Sequence, residues 1–179
     1  MNKDLPTSII IFGASGDLTQ RKLIPSLFNL CRKGRLPKQF RIIGYGGTAF
    51  SDDKFRAHLE EGVKQFASFE FKPEQWADFA PNILYLQGKY DKLDDAEKLS
   101  EIMGGWEKGA GNRVYYMATP PDVFPTIIDL LGLTEQLTER EGWRRVVIEK
   151  PFGTDLKSAQ SLNQQIHKTL NENQIYRID

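Results

Sequence analysis

Short apolar runs alternate with amphipathic stretches along the whole chain. Ser8–Phe12, Arg41–Tyr45, Ile83–Gln87, Arg113–Ala118 and Arg144–Ile148 are β-branched or aromatic segments bounded by glycine, proline or charged residues. Buried parallel strands read this way because both of their faces are covered. A weaker sixth run is Gln174–Ile178. Between the strands, Arg21–Lys33 sets Leu23, Ile24, Leu27, Phe28, Leu30 and Cys31 at helical spacing, with Gly34 as its stop. Pro25 falls inside that pattern and predicts a kink or a helix restart. Helical patterns follow over Asp52–Phe66, Asp94–Met103, Pro121–Leu131 and Asp155–Leu170, the last with Thr154 and Asp155 as cap candidates. Strand–helix alternation predicts an α/β fold, a doubly wound, mostly parallel sheet in a single domain. Two segments break the rhythm. Ala67–Asn82, with Phe69, Phe71, Trp76 and Phe79, predicts a loop or short helix whose rings pack over the sheet edge. Gly104–Asn112 holds four glycines and predicts a mobile surface connection.

The composition narrows the chemistry. At 179 residues with 40% apolar and 27% charged positions, the chain can bury a sizeable core. Lys+Arg and Asp+Glu balance at 24 each, so no global field favours nucleic acid or a membrane surface as a partner. No run approaches the roughly 20 apolar residues of a spanning helix, and Met1–Pro6 lacks a signal-peptide core. Cys31 is the single cysteine, which fits core packing and a reducing, cytoplasmic location. His58 and His167, both on helical patterns, read as solvated-face residues, and no metal site is expected.

The candidate chemistry sits at strand ends. Gly13-Ala14-Ser15-Gly16-Asp17-Leu18 follows the first apolar run and precedes a helix. Strand, tight glycine turn and helix N-terminus, in that order, can cradle a pyrophosphate on free N–H groups at the positive end of the helix. Ser15 and Leu18 depart from the three-glycine fingerprint, so a plain strand–turn–helix corner is an equal reading of the turn alone. Asp17 would repel phosphate; it suits a helix cap or a partner for Arg21 or Lys22. The fifth strand ends in Glu149-Lys150-Pro151-Phe152-Gly153 and the fourth in Ala118-Thr119-Pro120-Pro121, where open α/β sheets bind ligands. Lys150 can hold a phosphate or hydroxyl; a polar turn before a helix is the alternative.

These segments together resemble glucose-6-phosphate dehydrogenases. The resemblance rests on Gly13–Leu18 with Arg21-Lys22-Leu23-Ile24-Pro25, then Tyr116–Pro121, Val147–Gly153 and Gln174–Asp179, in order over essentially the whole chain. It implies that residues 1–179 form the Rossmann-like NAD(P)-binding domain, with an α+β substrate and dimerisation domain beyond Asp179. Gly13, Ala14, Ser15, Gly16, Asp17 and Leu18 would then hold the NADP pyrophosphate, with Lys22 near a phosphate. Lys150 would lie where nicotinamide and glucose 6-phosphate meet, its approach set by Pro151. Asp179 would orient a histidine base that the family carries further on, so negligible turnover is expected from residues 1–179 alone. Family members are oligomers, which implies a homo-oligomer for the full enzyme.

The chain also departs from the family. NADP-preferring members carry arginine where Gly47 stands, and no acidic NAD marker replaces it. Losing one charge-assisted pair costs roughly 10- to 150-fold in affinity, so a weakened NADP site, or one that also takes NAD, is expected. Thr48, Arg21 and Lys22 are the candidates to compensate. Two alternatives remain open: a sugar oxidoreductase of the glucose-fructose oxidoreductase type, which shares Glu-Lys-Pro after a strand, and a non-catalytic nucleotide-binding module.

Overall fold

A computed structural model describes residues 5–150 and 156–179. Six strands form one sheet in the order β3-β2-β1-β4-β5-β6: β1 Thr7–Phe12, β2 Phe40–Gly46, β3 Ile83–Gln87, β4 Asn112–Met117, β5 Arg144–Glu149 and β6 Ile175–Ile178. Every pairing is parallel. Helices α1 (Ile24–Arg32), α2 (Asp52–Phe66) and α3 (Pro73–Phe79) bury Phe28, Phe55, Leu59 and Phe79 against Ile9, Ile11, Phe40 and Ile42 on one face. Helices α4 (Leu93–Glu107), α5 (Phe124–Leu133) and α6 (Leu156–Ile166) cover Ile10, Phe12, Ile43, Tyr45, Tyr115 and Val146 on the other. Adjacent residues of β1 thus serve opposite cores, which explains its unbroken apolar run. This is the expected doubly wound, Rossmann-like sheet. Its order reverses between β1 and β4, and the crevice of such folds opens at the carboxyl ends of those strands.

Local departures have local causes. The helix after β1 starts with a π-helical turn, Thr19–Leu23, in which the Ile24 N–H reaches the Thr19 carbonyl, and α-helical bonding restarts at Ile24. Pro25 then occupies the first turn of α1, where a missing N–H is tolerated. Gly34, at φ 62°, ends α1 with the paired bonds Gly34 N–H to Cys31 and Arg35 N–H to Leu30. Within α1, Leu30 is exposed rather than in the core, whereas Cys31 packs partly against the core as expected. The short-helix reading of the aromatic segment holds: α3 presses Trp76 and Phe79 against Phe28 at 5.4 and 5.2 Å between ring centres.

Gly104–Asn112 needs a larger correction. Helix α4 continues through Gly104 and Gly105 to Glu107, and Lys108 turns the chain at φ 52°. Glycine propensity alone disfavours this, but tertiary bonds override it. The Glu107 carboxylate is buried and receives the Arg113 guanidinium, its Nη2 at 2.7 Å, together with the Ser8 hydroxyl at 2.8 Å. The cap candidates Thr154 and Asp155 lie outside the described residues.

Candidate functional site

The glycine turn leaves β1 at the sheet's switch point. Gly13 takes φ +79°, and a side chain there would collide with the Ala118 carbonyl at the end of β4. Only glycine lets the two strand ends approach so closely. Within the turn, the Gly13 and Ala14 N–H groups donate to the Tyr45 carbonyl at 3.0 and 3.2 Å, and Gly16 N–H donates to Gly13 at 2.9 Å. Those three amides shape the loop. Helical bonding begins when Gln20 N–H reaches the Gly16 carbonyl, so the amides of Asp17, Leu18 and Thr19 have no acceptor one turn back. They are the donors left for an anion.

Asp17 acts as the ion-pair partner expected of it. Its carboxylate meets Arg21 at 3.1 Å, and the Arg21 guanidinium also lies 4.8 Å from the Phe66 ring centre. Arg21 is thereby turned toward α2. Lys22 is exposed on the same turn. The Thr48 hydroxyl donates to Ser15 Oγ at 2.9 Å, tying the end of β2 to the glycine turn.

An open cleft of about 390 Å³ runs across the strand ends, lined by Gly47, Lys89, Tyr90, Asp91, Asp122 and Val123 among others. The Tyr90 hydroxyl accepts from Gly13 N–H at 3.0 Å. Burial raises the Tyr90 pKa above the ordinary phenol value, although the Gly13 bond works against that shift. Nearby, the Thr119 hydroxyl oxygen is buried without a hydrogen-bond partner among the described residues. On the other side of the switch point, the Tyr116 hydroxyl donates to Glu149; burial, then that carboxylate, pushes the Tyr116 pKa up. Lys150 and Asp179 come together: Nζ and Oδ1 are 2.7 Å apart, and Lys150 N–H donates to the Ile178 carbonyl at 3.0 Å. Both side chains remain largely exposed. Pro151, given a role by the sequence, lies outside the described residues.

Both histidines are elsewhere. His167, just past α6, is exposed and pairs with Glu172 at 2.9 Å. His58 departs from the solvated-face expectation: its ring stacks on Phe50 at 5.5 Å and its Nε2 is buried. Sequence reasoning overlooked Tyr90 and Lys89, although both immediately follow a predicted strand on the crevice side. Tyr116 and Glu149 lay within recognised segments but had no role.

Comparison with known proteins places the chain in a family. Residues 10–179 match the family described as "Glucose-6-phosphate dehydrogenase, NAD binding domain". The chain is 38% identical to the glucose-6-phosphate 1-dehydrogenase of Chlamydia pneumoniae, over 97% of this chain and 35% of that protein. Identity to the Treponema pallidum protein of the same name is 41%, with the same two coverages. A solved glucose-6-phosphate dehydrogenase in complex with its substrate glucose-6-phosphate superimposes with a TM-score of 0.86 at 32% identity, covering 100% of this chain and 38% of that one. The chain therefore spans about 35% of the length of these curated relatives. By sequence and by fold, it belongs to the glucose-6-phosphate dehydrogenase family.

Proposed function

We propose that this chain binds NADP, and NAD less selectively excluded than is usual, across the carboxyl ends of β1 and β4. It would serve the oxidation of glucose 6-phosphate at C1 to 6-phosphogluconolactone. The observation that carries the reading is the Gly13 turn at the switch point: a close backbone approach that a Cβ would block, followed by helix amides without acceptors. The Thr119 hydroxyl, without a partner among the described residues, and the open cleft beside Gly47 also suit a dinucleotide.

Each residue then has a role that its chemistry supports. Gly13, Ala14, Ser15 and Gly16 shape the turn, and the amides of Asp17 and Leu18 face the pyrophosphate. Lys22 adds a compact cation one turn along, and Thr48 fixes the β2 end against Ser15. A bound nicotinamide supplies a hydride acceptor at its C4. Lys150 would hold the sugar phosphate or a sugar hydroxyl near that ring, trading its exposed ion pair with Asp179 for that group. Asp179 meets a lysine and no histidine among the described residues, so residues 1–179 bind coenzyme with negligible turnover. A cytoplasmic setting fits the single thiol and is the location in the names of relatives from Arabidopsis thaliana and Solanum tuberosum.

Calorimetric titration with NADP and NAD at matched ionic strength tests the reading. Both should bind, with NADP favoured by well under a hundredfold. A hundredfold or greater NADP preference overturns the weakened-site reading, and absence of binding by either coenzyme overturns the coenzyme site itself.

A further inference from the structure

In dinucleotide folds, the end of the second strand reads the adenosine 2′ position, with an acid for a hydroxyl or an arginine for a phosphate. Here that end is Gly46-Gly47-Thr48, which carries no charge, and the space where a Gly47 side chain would stand is open for 4 Å. The loop after β3 lies beside it. Gly88 N–H donates to Gly46 at 3.0 Å, Gln87 Nε2 to the Gly47 carbonyl at 3.2 Å, and the Tyr85 hydroxyl to the Thr48 carbonyl at 2.8 Å. Lys89 is held at both of its main-chain groups: its carbonyl accepts from the Tyr45 hydroxyl at 2.8 Å, and its N–H donates to Asp95 at 2.9 Å. A side chain at Gly88 would strike the Tyr45 hydroxyl, so glycine there permits the close approach of this loop to β2. The pinned backbone sets Lys89 on the wall of the cleft that Gly47 also lines, and its ammonium has no ion-pair partner among the described residues. Asp91 and Asp122 line the same cleft and oppose an incoming phosphate.

We propose that Lys89 is the specificity-determining cation of this chain: it contacts the adenosine 2′-phosphate from the β3 side, in place of a charged residue at the end of β2. Asp91 and Asp122 keep the resulting preference for NADP small. The inference rests on the coenzyme reading above, and the test separates the two. NADP, NAD, adenosine 2′,5′-bisphosphate and AMP are titrated calorimetrically into the 179-residue chain and its Lys89→Gln variant, with circular dichroism as the folding control. Lys89→Gln should weaken NADP and the bisphosphate roughly five- to twentyfold while NAD and AMP change less than about twofold. Adding Gly47→Arg to that variant should restore the lost NADP affinity, since the side chain enters open space. In the parent chain, tighter binding of the bisphosphate than of AMP should shrink as salt rises. An unchanged NADP affinity, equal weakening of NADP and NAD, or equal binding of bisphosphate and AMP by the parent chain overturns the role of Lys89 and leaves the coenzyme site standing. If the parent chain binds none of the four, both readings fall.

Discussion

The two ends of the sheet each hold an ion pair, built to opposite specifications. At the amino end, Glu107 and Arg113 are 3% and 10% exposed, share hydrogen bonds and take a further one from Ser8. At the carboxyl end, Lys150 and Asp179 are 58% and 77% exposed and meet through one 2.7 Å contact. The buried pair has no water to fall back on, so removing one partner strands the other charge. The exposed pair gives up little when it opens, because water and salt replace it. The pair proposed to meet a ligand is therefore the loose one, and the pair that holds β1, β4 and α4 in register is locked away. The glycine turn belongs to the carboxyl end yet shares the rigidity of the other, since the Gly13 backbone is wedged against Ala118.

Glu107→Ala should produce the largest effect. It leaves Arg113 buried without its carboxylate and should cost about 3–5 kcal/mol in urea unfolding, with the coenzyme affinity of the folded fraction unchanged. A loss under 1 kcal/mol would erase the contrast between the two ends. Gly13→Ala comes next: a left-handed backbone and a carbonyl collision should cost about 2–3 kcal/mol, and here coenzyme affinity should fall as well. Calorimetry paired with thermal melts would show whether binding and stability drop together. Asp179→Asn should change stability least, by less than about 0.5 kcal/mol. A measurable melting shift in that variant would mean that the exposed pair carries structure after all.

How much of this was legible in the sequence follows the same division. β1, the Gly13 turn and the Gly34 stop are written in neighbouring residues, so the apolar run and the glycines announce them. Lys150 stands out because it follows a recognisable strand, whereas Asp179 entered through the family resemblance as the partner of a histidine, and its pairing with Lys150 was not legible. Glu107 was not. Its helix runs through two glycines because Arg113 and Ser8 wait across the fold, and nothing in the local pattern reports those partners. His58 was misjudged for a related reason: the helical period gives a face, but Phe50 and Gln20, from other segments, decide whether that face meets water. Lys89 and Tyr90 show no motif at all, and their position became meaningful only once four hydrogen bonds drew the end of β3 and its loop onto the end of β2.

The central place of β1 has a consequence for biosynthesis. Its first neighbour, β2, is made soon after it, but its other edge pairs with β4, where Thr7 meets Asn112 and Phe12 meets Met117. A ribosome adding about 5–20 residues per second leaves that edge of Ser8–Phe12 bare for several seconds, at the least, before its partner is synthesised. The most apolar strand of the chain is thus also the one exposed longest to other nascent chains. Its protection in the cell depends on how promptly residues 112–117 clear the exit tunnel.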